Sequence, residues 1–189
     1  MKKFTNMLVG VFVALLLATS AFAASNTPVA TTTAVATNSA FDGEWVMTLG
    51  GSGATTTTDS ETAFGINFSV GRTLNLIKGF PEEVGIRQGL GYASGNGGNT
   101  ILSTRAYLDV TVLKFDLTKN IPVDIYVGGN IGPNYGNTNL KWVAAPEVGV
   151  DVWLAKNVAI DARLEYAFDL DNARSSDALV YVLGVKFKF

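Results

Sequence analysis

Carboxylates are the residues of this 189-residue chain best suited by type to carry chemistry, because it contains neither histidine nor cysteine. Lack of His removes the commonest general base and metal ligand, so a Ser-His-Asp hydrolase cannot be assembled. Lack of Cys removes thiolate nucleophiles, thiolate metal sites, disulfides and the lipidated Cys of a lipoprotein. What remains is carboxylate and charge chemistry. Glu147 and Asp151 share a parity that puts both on one face of a strand, where they could act as a paired acid and base. Asp161, Arg163 and Glu165 share a face in the same way. Asp169, Asp171 and Asp177 could gather around a cation in one loop, without the spacing of an EF-hand. Gly128-Gly129-Asn130-Ile131-Gly132 has the glycines of a phosphate loop, but no Lys-Ser/Thr pair and no helix follows. Each has a plainer account: charges paired inside a closed structure, a solvated acidic loop, or glycines in a strand. No metal, cofactor or catalytic residue is expected.

The elements that must position these residues are strands. From Phe41 onward apolar and polar residues alternate with period two, segment after segment. Trp45, Met47 and Leu49 alternate with Glu44, Thr48 and Gly50. Phe64, Ile66, Phe68 and Val70 follow, then Val84, Ile86, Leu90 and Tyr92, then Leu102, Ala106, Leu108, Val110 and Val112. Val123, Ile125 and Val127 come next, then Trp142, Ala144, Val148, Val150 and Val152, then Val158 to Phe168, then Leu179 to Phe189. Eight strands of spanning length are predicted, about 9–11 residues each in a membrane barrel. Polar connections at Ala54–Ser60, Ala93–Thr100, Pro133–Asn139 and Asp169–Asp177 alternate with others at Thr73–Glu82, Lys114–Asn120 and Leu154–Asn157. That arrangement describes an all-β, eight-stranded antiparallel up-and-down transmembrane barrel, the first set of loops outside and the second in the periplasm. Gln88 falls on the apolar face, and Pro146 falls inside a strand, where a bulge or local break is expected.

The first residues set the compartment. Lys2 and Lys3, the apolar run from Met7 to Ala18 and the small-x-small end Ala21-Phe22-Ala23 describe residues 1–23 as a signal peptide cleaved after Ala23. The run is too short for a spanning helix, which takes about 20 residues. Residues 24–40, rich in Thr and Ala, read as a disordered lead-in, and 41–189 as the barrel. Loss of Lys2 and Lys3 takes the formal net charge from −2 to −4, and no basic stripe argues for nucleic acid. Charged residues make up 16% against a norm of about 25%, as expected if apolarity is distributed by alternation.

Alternation alone fits both a membrane barrel and a soluble, lipocalin-like one of opposite polarity. Three features favour the membrane. The polar faces are rich in Gly and carry only single charges. Aromatics cluster near the ends of the apolar faces: Trp45, Phe64, Tyr92, Trp142, Tyr166, Phe168, Phe187 and Phe189. The sequence closes on an apolar strand at Phe189, which would be an aggregation-prone edge in water. The charges then point inward: Glu44, Arg87, Arg105, Asp109, Asp124, Glu147, Asp151, Asp161, Arg163, Glu165, Lys186 and Lys188. Eight strands leave an interior that side chains can fill, so these charges should pair into a network that plugs the lumen.

The ending Gly184-Val185-Lys186-Phe187-Lys188-Phe189 resembles the C-terminal assembly signal of bacterial outer-membrane proteins, carried by Gly184, Phe187 and Phe189, with Val182 where a polar residue is usual. Residues 146–160 resemble the penultimate hairpin of small OmpA-like, opacity-type barrels of the porin-like superfamily. The resemblance covers roughly residues 41–189. It implies a Gram-negative outer membrane, lipid and lipopolysaccharide as surroundings, and insertion by the barrel-assembly machinery. The expected role is structural, adhesive or surface-interacting, with the surface ligand open. The competing readings are a small channel for ions or solutes, a lipid-modifying barrel enzyme (those of that kind rely on a His) and a soluble ligand-binding barrel.

Overall fold

A computed structural model describes residues 43–56, 62–93, 99–118, 121–136, 140–170 and 177–189. The signal peptide with its Ala23 junction, the lead-in 24–40 and Asp171 lie outside the described residues. Eight strands follow one another in chain order: β1 (Trp45–Thr56), β2 (Thr62–Ile77), β3 (Phe80–Ala93), β4 (Asn99–Thr118), β5 (Ile121–Tyr135), β6 (Leu140–Ala155), β7 (Val158–Asp169) and β8 (Ala178–Lys188). Each pairs antiparallel with the next, and β8 returns to β1, closing the barrel. At the seam Trp45 and Phe189 exchange both backbone hydrogen bonds, each 3.0 Å. Closure pairs the backbone groups that an open edge would leave to solvent or lipid.

The strands are staggered. Val46 stands opposite Gly71, Gly71 opposite Gly85, Gly85 opposite Tyr107 and Tyr107 opposite Asn130. Asn130 faces Ala145, which packs with Ala167; Ala167 faces Ala178, and Ala178 faces Thr56. One circuit therefore regains β1 ten residues beyond its start. For eight strands this stagger tilts the strands by roughly 40° and leaves a bore that side chains can fill.

Polarity is inside out. Leu183 is 63% exposed on the outer face, while Asp161 is 0% exposed within the bore. Ile66, Ile86, Leu108, Val148 and Leu164 share the outer face, and the end-of-strand aromatics Trp45, Phe64, Tyr92 and Trp142 border it. The period-two pattern thus builds a membrane-facing wall, the arrangement of a transmembrane barrel and the reverse of a lipocalin.

Two features, the turns and the strand lengths, depart from the sequence-based expectation. The connections at the end carrying the termini are far shorter: β2 and β3 are joined by Lys78-Gly79 and β6 and β7 by Lys156-Asn157. The strands lengthen to match, from 11 residues in β8 to 20 in β4. Gly79 has a φ of +90° with open space around it, so the backbone angle demands the glycine. Glu82 is recruited to the same turn, its carboxylate accepting from the amides of Leu76 and Ile77 at 3.0 and 2.8 Å where the ladder shifts register. At Pro146 the expected local break is found, without a bulge. Pro146 faces Gly129 of β5, and toward β7 the ladder is interrupted between Ala144 and Glu147 with the register unchanged. The missing N–H opens a gap without bending the strand out of step.

Candidate functional site in the barrel lumen

The bore gathers side chains from non-neighbouring strands because inward parity is kept on every strand. Arg87 of β3 is central. Its Nη1 reaches both carboxylate oxygens of Glu147 on β6 at 2.5 Å, and its Nη2 reaches Asp109 of β4 at 2.6 Å. Its guanidinium carbon lies 4.0 Å from the ring centre of Tyr107. Arg163 of β7 donates from Nε to Glu165 (2.9 Å) and from Nη2 to Asn67 (3.0 Å), and its Nη1 is 3.4 Å from Asp161. Arg105 of β4 donates to Asn130, Glu165 and Asn134 at 3.1–3.4 Å. Asn130 Nδ2 donates to Glu147 at 2.9 Å, joining the arginine clusters.

A second tier lies toward the termini. Lys186 of β8 pairs with Asp151 (2.7 Å) and Glu83 (3.3 Å) and sits 4.9 Å from the ring centre of Tyr126. The hydroxyls of Tyr107 and Tyr126 donate to Glu83 and Asp161 at 2.6 and 2.5 Å, tying this tier to the arginines. At the mouth beyond, Trp153 Nε1 donates to Asp124 at 3.0 Å, Lys188 lies 4.2 Å over the Trp153 ring, and Lys114 is 3.6 Å from Asp124. Pairing at these distances is what makes charge burial tolerable.

Glycines make room for the aromatic parts. A Cβ on Gly149 would lie 2.2 Å from Tyr126 Cζ, and one on Gly71 would lie 2.1 Å from the Tyr107 hydroxyl. The inward glycines thus seat the tyrosines whose hydroxyls reach the carboxylates.

On the other side of the arginines, away from the termini, the bore opens into a cup of about 420 Å³. Small side chains such as Ser52, Ala63, Ser103 and Ala167 line it, and Asn67 and Arg105 lie at its base. It ends at Arg87, where the ion pairs fill the bore.

The structure brings Arg87, Arg105, Asp109, Glu147, Asp151, Asp161, Arg163, Glu165 and Lys186 into this network, and Asp124 to its end. It does not bring Glu44 there: that residue precedes β1, is exposed, and bonds through its backbone to Thr73. Lys188 caps the mouth over Trp153 instead of joining the carboxylates. Glu147 and Asp151 do not form a carboxylate pair, since each is engaged by a different cation. Asp169 pairs with Lys141 at 3.0 Å and Asp177 accepts from Tyr166 at 2.8 Å, and among the described residues no acidic group could hold a metal. The glycines 128–132 run within β5. Gly184 and Phe187 occupy β8 and Phe189 the seam.

Glu83, Tyr107, Tyr126, Trp153, Asn67 and Asn130 are lumen partners that a search for inward charges passed over. Parity could have found Glu83, which shares the face of Gly85 and Arg87 but falls between the predicted connection ending at Glu82 and the predicted strand beginning at Val84.

No protein-family model matches the chain, and no curated protein matches it. Solved structures do. Neisserial surface protein A is 16% identical, with a TM-score of 0.54 over 77% of this chain and 97% of its own. Ail, the attachment invasion locus protein of Yersinia pestis, solved in complex with the heparin analogue sucrose octasulfate, is 15% identical, with a TM-score of 0.50 over 78% and 99%. The outer-membrane enzyme PagL is 15% identical, with a TM-score of 0.48 over 77% and 99%. The first two establish the fold as that of eight-stranded outer-membrane β-barrels.

Proposed function

We propose that this chain is a non-conducting, non-enzymatic barrel of the small OmpA-like, opacity-type kind in a bacterial outer membrane, with a structural, adhesive or surface-interaction role. The observation that carries the reading is the ion lattice centred on Arg87 and Glu147, whose side chains are buried across the bore at the base of the cup. A barrel closed in this way acts through its outer wall and loops. Lipid and lipopolysaccharide surround the wall, and the barrel-assembly machinery inserts the chain after a signal peptide is removed. Attachment is the role named for the fold relative Ail, and a surface role of that class fits a closed bore.

The alternative is a small channel, favoured by a cup that penetrates to Arg87. Planar-bilayer recording on the refolded protein separates the two. The closed reading expects no current steps above the lipid baseline; reproducible unitary steps would replace it with the channel reading.

A further inference from the structure

The outer wall carries one polar spot away from its rims. Gln88 lies on β3's outward parity, between the exposed Val84 and Ile86 on one side and the exposed Tyr92 on the other, while Leu90 of the same parity is buried. It faces outward and is exposed, and directly opposite on β4 stands Thr104. Among the described residues, no side chain hydrogen-bonds the Gln88 carboxamide. Around the pair the wall is apolar: Phe68 stands opposite Gln88 on β2, and Ala106, a single methyl, follows Thr104 on the same face. A carboxamide in hydrocarbon without a partner is costly, and a side-chain hydrogen bond to a neighbouring membrane protein relieves that cost.

We infer that the β3–β4 wall around Gln88 and Thr104 is the contact face for a second copy of this chain. The carboxamide is self-complementary: its C=O accepts and its NH2 donates. Two copies related by a twofold axis along the membrane normal bring Gln88 to Gln88, and each amide satisfies the other. Ala106 lowers the wall beside the pair, so the backbones can approach as small residues allow in membrane interfaces. The occupant is argued from the patch itself, which offers both donors and acceptors and no charge, so a second copy complements it.

The chain has no cysteine, so single-Cys variants report without background. Ala106→Cys, Thr104→Cys and Leu164→Cys, the last on β7, are each oxidised with copper-phenanthroline in intact outer membranes. Ala106→Cys and Thr104→Cys, which keep Gln88, should give a covalent species of twice the chain mass, in about tenfold higher yield than Leu164→Cys. In the Thr104→Cys background, Gln88→Leu should cut that yield about tenfold while the barrel still folds, since leucine suits the lipid face. Equal yields at all three positions would overturn the contact face. A product of another mass would assign the patch to a different protein, and a yield unmoved by Gln88→Leu would remove the amide as the determinant.

Discussion

Arg87 and Glu147 meet at 2.5 Å although they sit on β3 and β6, strands that share no hydrogen-bonded edge. The bond is a strut across the bore, and Asp109 braces it from β4. Ladder bonds hold each strand to its neighbours; this contact holds opposite walls to each other.

Removing the strut's cation should expose that role. Arg87→Met leaves Glu147 and Asp109 buried without their arginine, a loss of about 3–5 kcal/mol for a dry pair. The triple variant Arg87→Met, Glu147→Gln, Asp109→Asn has no stranded charge and should regain most of it. Urea unfolding in lipid bilayers measures both. Equal losses would show that the fold depends on the shape of these side chains and not on their charge.

The glycine seats are testable as a pair. Gly149→Ala drives a methyl into the Tyr126 ring, which is tethered by its bond to Asp161, and overpacking of this kind costs about 1–3 kcal/mol. Once Tyr126→Ala has emptied the space, Gly149→Ala should be nearly neutral. A double-mutant cycle reads the coupling, and strictly additive losses would mean that the two do not share the space.

Phe189 is proposed to act in assembly as well as in the seam. Its seam bonds are backbone bonds, so Phe189→Ser keeps them and removes only the ring. The expected result is reduced insertion and more degradation before insertion than for Leu183→Ser, at an equally lipid-facing site. Matching losses in a fractionation assay would reduce Phe189 to one lipid contact among many.

Neighbours on one strand should report opposite sides of the wall. A Cys at Leu164 should react with a lipid-soluble reagent and resist a water-soluble one, and a Cys at Arg163 should be unreachable from lipid. Leu164→Arg should cost roughly 2–4 kcal/mol near the bilayer midplane. Labelling of Arg163→Cys from the lipid phase would reverse the assigned faces.

The wall and the inward parity were legible in the sequence because a strand's two faces are written in alternate residues. Arg87, Glu147 and Arg163 could be placed inside on that ground alone. Which of them touch could not be read, because Arg87 finds Glu147 only through the stagger of the intervening strands. Glu83 falls unplaced between the predicted connection ending at Glu82 and the predicted strand beginning at Val84, since a polar stretch looks like a loop until Gly79 turns the chain within two residues. Alternation puts Tyr107 and Tyr126 on the inward face, opposite Gly85 and Gly149, but does not name the carboxylates their hydroxyls reach, and it leaves Trp153 unplaced. Glu44 illustrates the converse. It has the right parity, but the strand begins one residue later and leaves it in solvent.

The ten-residue climb of one circuit also limits how the gene can change length. Adding or deleting one residue within β4 or β6 would carry every later side chain of that strand to the opposite face, putting carboxylates into lipid and leucines into the bore. Removing two would preserve the faces but slide Glu147 or Asp109 past Arg87 by one step of the pleat. Insertions and deletions should therefore survive only in the connections, and drift in the length of this protein should be confined to its loops while the strands stay fixed in register.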